Sequence, residues 1–186
     1  VKPSIGAGGS ANCYIVQSQK ELNALAMLLD IEHTNNDFMI QEYVGTPENE
    51  YTVGVLNDME GNFINSIAIK REIKGQLHTT LNVPNRTDKI KLGERLVISS
   101  GVSQGYIDTF PEVTGPCEQI AEKIGARGAI NIQCRLVDGV VKVFEINPRF
   151  SGTTSIRAMM GFNEPILLLK HHLMGLPLQK RFQYQS

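Results

Sequence analysis

The chain has 186 residues, of which 41% are hydrophobic and 20% charged, with a formal net charge of −1. This suits one ordinary globular domain or two small lobes and excludes a disordered chain. The near-neutral charge, with no long basic run, speaks against nucleic acid as a partner. No apolar stretch approaches the ~20 residues that span a bilayer.

The chain opens Val1-Lys2-Pro3, with neither an initiator methionine nor a signal peptide, and is expected to be a piece of a longer protein cut just upstream of a functional loop. Residues 4–11 (SIGAGGSA) form a glycine-rich loop, and residues 12–17 suit a short strand. Ser18 with Glu21 reads as a capping box, opening a helix to about residue 29 with Leu22, Leu25, Ala26, Leu28 and Leu29 as its stripe. Residues 38–44 and 51–56 read as strands. A turn at 58–62 leads into a long strand over 63–73, and a shorter strand over 77–83 ends at Pro84. The stretch 91–115 carries no clear pattern. Residues 116–124 suit a helix closed by Gly125. Residues 129–137 and 140–146 flank Asp138-Gly139, a favoured two-residue hairpin turn. Helices are expected over 151–160 and 164–174. The order implies an α+β protein and not a doubly wound parallel sheet.

Three stretches could carry chemistry. In VKVFEINPR (143–149), period-2 geometry places Glu145 and Asn147 on one face with Val143, and Phe144 and Ile146 on the other. Two oxygen-bearing side chains at a strand end suit a hard cation such as magnesium. Continuing the hairpin register puts Gln133 opposite Phe144 and next to Glu145, so Gln133, Glu145 and Asn147 could converge. By themselves they suit a solvated ribbon end with ordinary polar residues better than a metal site. In the glycine-rich loop, Gly6, Gly8, Gly9 and Ser10 let backbone N–H groups approach a phosphate, with Lys2 supplying a cation. The loop matches neither GxxxxGK[ST] nor GxGxxG before a helix, and a surface turn is its plain alternative. In QEYVGTPENEY (41–51), exposed backbone could read a base edge and Glu50 the ribose hydroxyls, unless the stretch is a solvated acidic loop.

Taken in this order, the stretches resemble an ATP-grasp enzyme. The likeness is greatest to the ATP-grasp halves of the carbamoyl-phosphate synthase large subunit and related carboxylate–amine ligases. KPSIGAGGS resembles that family's flap, QEYVGTPENEYTVGV its hinge, and NIQ (131–133) with EINPR (145–149) its paired metal-binding strands. The resemblance implies an ATP-grasp fold of two lobes with mainly antiparallel sheets and flanking helices. Residues 1–50 would form the small lobe and 51–186 the large one. It implies ATP and Mg2+, or Mn2+ in its place, as cofactors. Lys2, Gly8, Gly9 and Ser10 would hold the phosphates, Glu42 and Val44 the adenine and Glu50 the ribose, with His78 beside the nucleotide. Gln133, Glu145 and Asn147 would bind metal, and Asn147 and Arg149 would serve the reaction. That reaction is activation of a carboxylate as an acyl-phosphate, followed by attack of an amine or ammonia. Carbamoyl-phosphate synthesis from bicarbonate and ammonia, or a non-catalytic nucleotide-binding module, are the alternatives. The flap departs from the family at Ala11-Asn12-Cys13, and Phe150-Ser-Gly-Thr-Thr154 after Arg149 implies a different acceptor pocket.

The remaining residues have plainer readings. Cys13, Cys117 and Cys134 are widely spaced and suit reduced thiols in a cytoplasmic protein. Lys70 and Arg71 alternate faces, so one of them at most looks toward phosphates. His171 and His172 lie about 100° apart on a helix and suit a surface pair. Met159-Met160 suits packing, His33 an exposed loop, and the helices after Arg149 would suit a homo-oligomer interface.

Overall fold

β-Branched residues on both sides of a turn build two paired strands of the largest sheet. β3 (Glu50–Asn57) and β4 (Phe63–Arg71) pair antiparallel, joined by a turn in which Asp58 binds the backbone N–H groups of Glu60 and Asn62. The computed structural model that shows this describes residues 1–4, 10–30 and 38–185. Two compact units divide the chain: Val1–Pro47 with Ile73–Val102, and Glu48–Glu72 with Ser103–Ser186. The expected single cut at residue 50 thus falls close to the first crossing at 47–48, but Ile73–Val102 returns to the first unit.

The first unit contains the two-residue strands β1 (Lys2–Pro3) and β2 (Phe38–Met39), helix α1 (Gln19–Leu28), and the ribbon of β5 (Thr79–Pro84) and β6 (Arg95–Ser99). Ser18 caps α1 by accepting from the Glu21 N–H, while Glu21 reaches back to the N–H of Gln17, one residue before the expected Ser18. No residue of α1 is buried, and Leu28 of its stripe is exposed. Residues 12–17 form no strand: Tyr14 bonds Val1, and Gln17 spends its side chain on Pro84 and Arg86. The strand expected over 38–44 is confined to Phe38–Met39, because Tyr43 meets β6 through its side chain and not through a backbone ladder.

In the second unit a five-stranded sheet has the order β7-β4-β3-β8-β9, with β7 at Gly105–Ile107, β8 at Ala129–Val137 and β9 at Val140–Asn147. Every strand pairing among the described residues is antiparallel. Helix α2 (Pro111–Lys123) covers one face, where Val113, Cys117 and Ala121 pack on Tyr51, Val53, Val55, Ile130, Ile132 and Cys134. It starts earlier than expected, with Pro111 in its first turn and Pro116 inside it. Helices α3 (Thr154–Met159) and α4 (Glu164–Met174) lie toward the other face, where Phe162, Leu167 and the tail residues Phe182 and Tyr184 pack against Ile64, Ile67 and Ile69. Met159 is exposed, and only Met160 of that pair packs.

Candidate functional site

The hairpin of β8 and β9 turns at Asp138-Gly139, both with positive φ (49° and 75°), as a two-residue turn of matching twist requires. Val137 pairs with Val140 and the expected register runs as far as Cys134 opposite Val143. There a bulge intervenes. Phe144 is the extra residue, and Gln133 then stands directly opposite Glu145, with Asn131 opposite Asn147. One inserted residue reverses the facing of everything beyond it. Val143 therefore joins the apolar side covered by α2, while Gln133, Glu145 and Asn147 share the opposite face; the expectation that Val143 lies with Glu145 is corrected. Asn147 Nδ2 donates to Glu145 Oε1 at 2.7 Å, a bond that leaves the Asn147 side-chain oxygen and Glu145 Oε2 as further acceptors. All three side chains are partly exposed. Their donor set, one carboxylate and two amide oxygens, fits a hard divalent cation such as Mg2+.

Behind these residues lies a buried polar network without a counterpart in the sequence reading. Asn131 Oδ1 accepts from Thr52 Oγ1 (2.9 Å) and Arg157 Nη2 (2.7 Å). Arg157, fully buried, pairs with Glu164 at 3.3 Å, and Thr154 Oγ1 donates to the same carboxylate at 3.2 Å. Burial pushes the Glu164 carboxyl above its ordinary range against the opposing pull of Arg157, and pushes the Arg157 guanidinium down. The guanidinium passes under Gly54, where a Cβ would overlap Arg157 Nη1 and lie 2.8 Å from Glu164 Oε1. A glycine between Val53 and Val55 inside a strand signals such a close approach and could have pointed to this network.

Glu50 sits one row away on the same face. Its Oε1 accepts from Arg71 Nη1 (2.7 Å), its Oε2 from Arg135 Nε and Nη2 (3.1 and 3.0 Å), and it is 1% exposed. The structure gives it a bridging place between two arginines where an open, ribose-binding carboxylate was expected. Arg71 is thereby turned to Glu50, while Lys70 on the other face lies over the Tyr51 ring. Arg149 is exposed and donates to the carbonyl of Phe150.

In the first unit, Ser10 and His78 meet the same end of β6. Ser10 Oγ donates to the Ser99 carbonyl (2.8 Å) and the Ser100 N–H to the His78 carbonyl (2.9 Å). The His78 ring is buried, with Nδ1 2.6 Å from the Lys74 carbonyl. Tyr43, between Glu42 and Val44, accepts from the Val97 N–H and donates to its carbonyl, which holds both neighbours beside β6. Glu42 is exposed, 3.8 Å from Lys89. Lys2 stands on β1 opposite Met39. Gly6, Gly8, Gly9 and His33 lie outside the described residues.

Cys117 and Cys134 are buried and free, and their mutual hydrogen bond together with burial holds the Cys134 thiol far above its ordinary value, so Cys134 is not an activated nucleophile. No helix among the described residues is long and apolar enough to cross a membrane.

An α+β unit whose paired strands end in a carboxylate and two amides is what an ATP-grasp protein would present. Residues 34–185 match the family described as ATP-grasp in the biosynthetic pathway with Ter operon, and the chain belongs to that family. It is 30% identical over 156 residues to the arginine-specific large chain of carbamoyl phosphate synthase from Bacillus subtilis (strain 168). That match covers 84% of this chain and spans 13% of the relative's length. Two structures of D-alanine–D-alanine ligase from Bacillus anthracis are also similar. The one complexed with ATP is 12% identical (TM-score 0.47), covering 84% of this chain and 48% of the other. The second is 16% identical (TM-score 0.48), covering 94% and 53%.

Proposed function

We propose that the protein containing this chain is an ATP- and Mg2+-dependent ligase that activates a carboxylate as an acyl-phosphate for attack by an amine or ammonia. The observation that carries this reading is the bulge at Phe144, which sets Gln133 directly across from Glu145 and beside Asn147 on one face of an ATP-grasp sheet. Gln133, Glu145 and Asn147 would hold the magnesium, which when bound neutralises charge on the phosphates. Lys2 and the loop through Gly8, Gly9 and Ser10 would contact the phosphates. Glu42, Val44 and His78 would hold the nucleoside side, and Arg149, with its exposed guanidinium, the transferring group or the acceptor. Glu50 takes a positioning role in this reading, through Arg71 and Arg135.

The reaction balances without a protein nucleophile. A carboxylate oxygen attacks the γ-phosphorus and ADP leaves; the amine then attacks the acyl carbon and phosphate leaves. The residues act by positioning and charge. The similarity to a carbamoyl phosphate synthase chain supports the second reading, with bicarbonate as the carboxylate and ammonia as the amine. Hydroxylamine trapping on the full-length protein tests the first step. With ATP, magnesium and a panel of carboxylates, a hydroxamate with matching ADP release is expected from one of them. ADP release with bicarbonate and ammonia alone would favour the synthase reading, and nucleotide binding without ADP release under any condition would favour a non-catalytic module.

A further inference from the structure

Away from these residues, the turn between β3 and β4 presents Glu60, and the last turn of α4 presents His171 and His172. One ligand atom from each lies within 4.8 Å of the others. Hydrogen bonds hold both supports. Asp58 Oδ1 accepts from the N–H groups of Glu60 (3.0 Å) and Asn62 (2.7 Å), Oδ2 accepts from Asn62 Nδ2 (2.8 Å), and the Gly128 N–H donates to the Asp58 carbonyl (3.0 Å). Helix α4 closes on Gly175 in the left-handed conformation (φ 65°), with the Gly175 and Leu176 N–H groups returned to His171 and Lys170. That closure brings the Leu176 carbonyl to 2.9 Å from His171 Nδ1. In the Nδ1–H tautomer this bond leaves Nε2 with its lone pair, as in histidines whose second nitrogen serves a metal. The two imidazoles, expected to diverge, instead stand edge to face with centroids 4.7 Å apart. Among the described residues, no hydrogen bond or ion pair engages the Glu60 carboxylate or the His172 ring.

We propose that Glu60, His171 and His172 form a binding site for a divalent transition ion of the zinc class, with a fourth position open to water. Two imidazole nitrogens and one carboxylate select such an ion over magnesium, which prefers oxygen donors. Glu60 and His172 are exposed, so the ion has an entry path and the side chains have room to close the 4.8 Å spread to bonding distance. The proposal is independent of the ligase reading, because it uses none of the same residues.

The test is calorimetric titration of untagged full-length protein with zinc, nucleotide-free and in excess magnesium. One zinc per chain is expected, at least about tenfold weaker in His171→Ala and His172→Ala. Glu60→Gln, on an exposed turn, should weaken zinc similarly while melting like wild type without metal. Cobalt in place of zinc should give a tetrahedral spectrum without thiolate charge transfer. No zinc binding, binding unchanged in the double histidine variant, or a thiolate band pointing to the cysteines would each overturn the proposal.

Discussion

In the second unit Gln133, Glu145 and Asn147 stand on paired strands of a five-stranded sheet, whereas in the first a few single bonds tie Tyr43 to the middle of β6, and Ser10 and His78 to its end. The second unit contains both apolar clusters and the Arg157–Glu164 pair; the first has an α1 with no buried residue. The three residues proposed to hold a small cation are thus fixed by ladder hydrogen bonds beside a buried ion pair. Residues expected to contact a nucleotide rest on local contacts that open at lower free energy.

The largest effect should come from breaking the buried pair. Arg157→Leu leaves Glu164 buried without its partner and should cost about 3–5 kcal/mol in urea unfolding, whereas replacing both residues with leucine should recover most of that loss. Gly54→Ala should be destabilising by the same route, since its Cβ would displace the guanidinium. Next, Glu145→Gln should lower turnover of the full-length enzyme on the order of 100-fold while shifting stability by less than about 0.5 kcal/mol, a split read from kinetics and unfolding together. In the first unit, Tyr43→Phe removes both bonds to Val97 and should cost about 1–2 kcal/mol. Hydrogen exchange should show the loss near β6 and leave β8 unchanged. In the native protein the amides of α1 should exchange faster than those of β3 and β8.

The smallest effect is a pH dependence at the β3–β4 turn. Burial alone would raise the Asp58 carboxyl, but hydrogen bonds from the Asn62 side chain and from the backbone of Asn62, Glu60 and Gly61 outweigh it and hold the group below its ordinary value of 3.8. A depressed carboxyl contributes stability above its unfolded pKa and loses it as pH falls through the folded one. Stability should therefore drop below about pH 4, and Asp58→Asn should flatten that part of the profile.

Where side chains alternate against a packed face, sequence and structure agree: β3, β4, β8 and the Asp138-Gly139 turn all follow from period-2 patterning and turn chemistry. The bulge at Phe144 left no such mark, because an inserted apolar residue in an apolar strand keeps the composition and changes only the facing. The first unit was harder to read for a related reason. Residues 12–17 and 40–44 have strand-like composition, but single side-chain bonds from Gln17 and Tyr43 take the place of a ladder. Glu50 and Arg157 show the opposite limit. Composition marks both as charged and exposed, and only the fold, with Arg71, Arg135 and Glu164 in place, makes their burial affordable in charge.

If Gln133, Glu145 and Asn147 act as one magnesium–ATP platform, ATP binding must depend on both magnesium and Glu145. Calorimetric titration of full-length protein with ATP, with and without magnesium, compared between wild type and Glu145→Gln, tests it most directly. The expected result is magnesium-dependent ATP binding that Glu145→Gln weakens strongly without altering the fold. Binding equally tight without magnesium, or unchanged in Glu145→Gln, would contradict it.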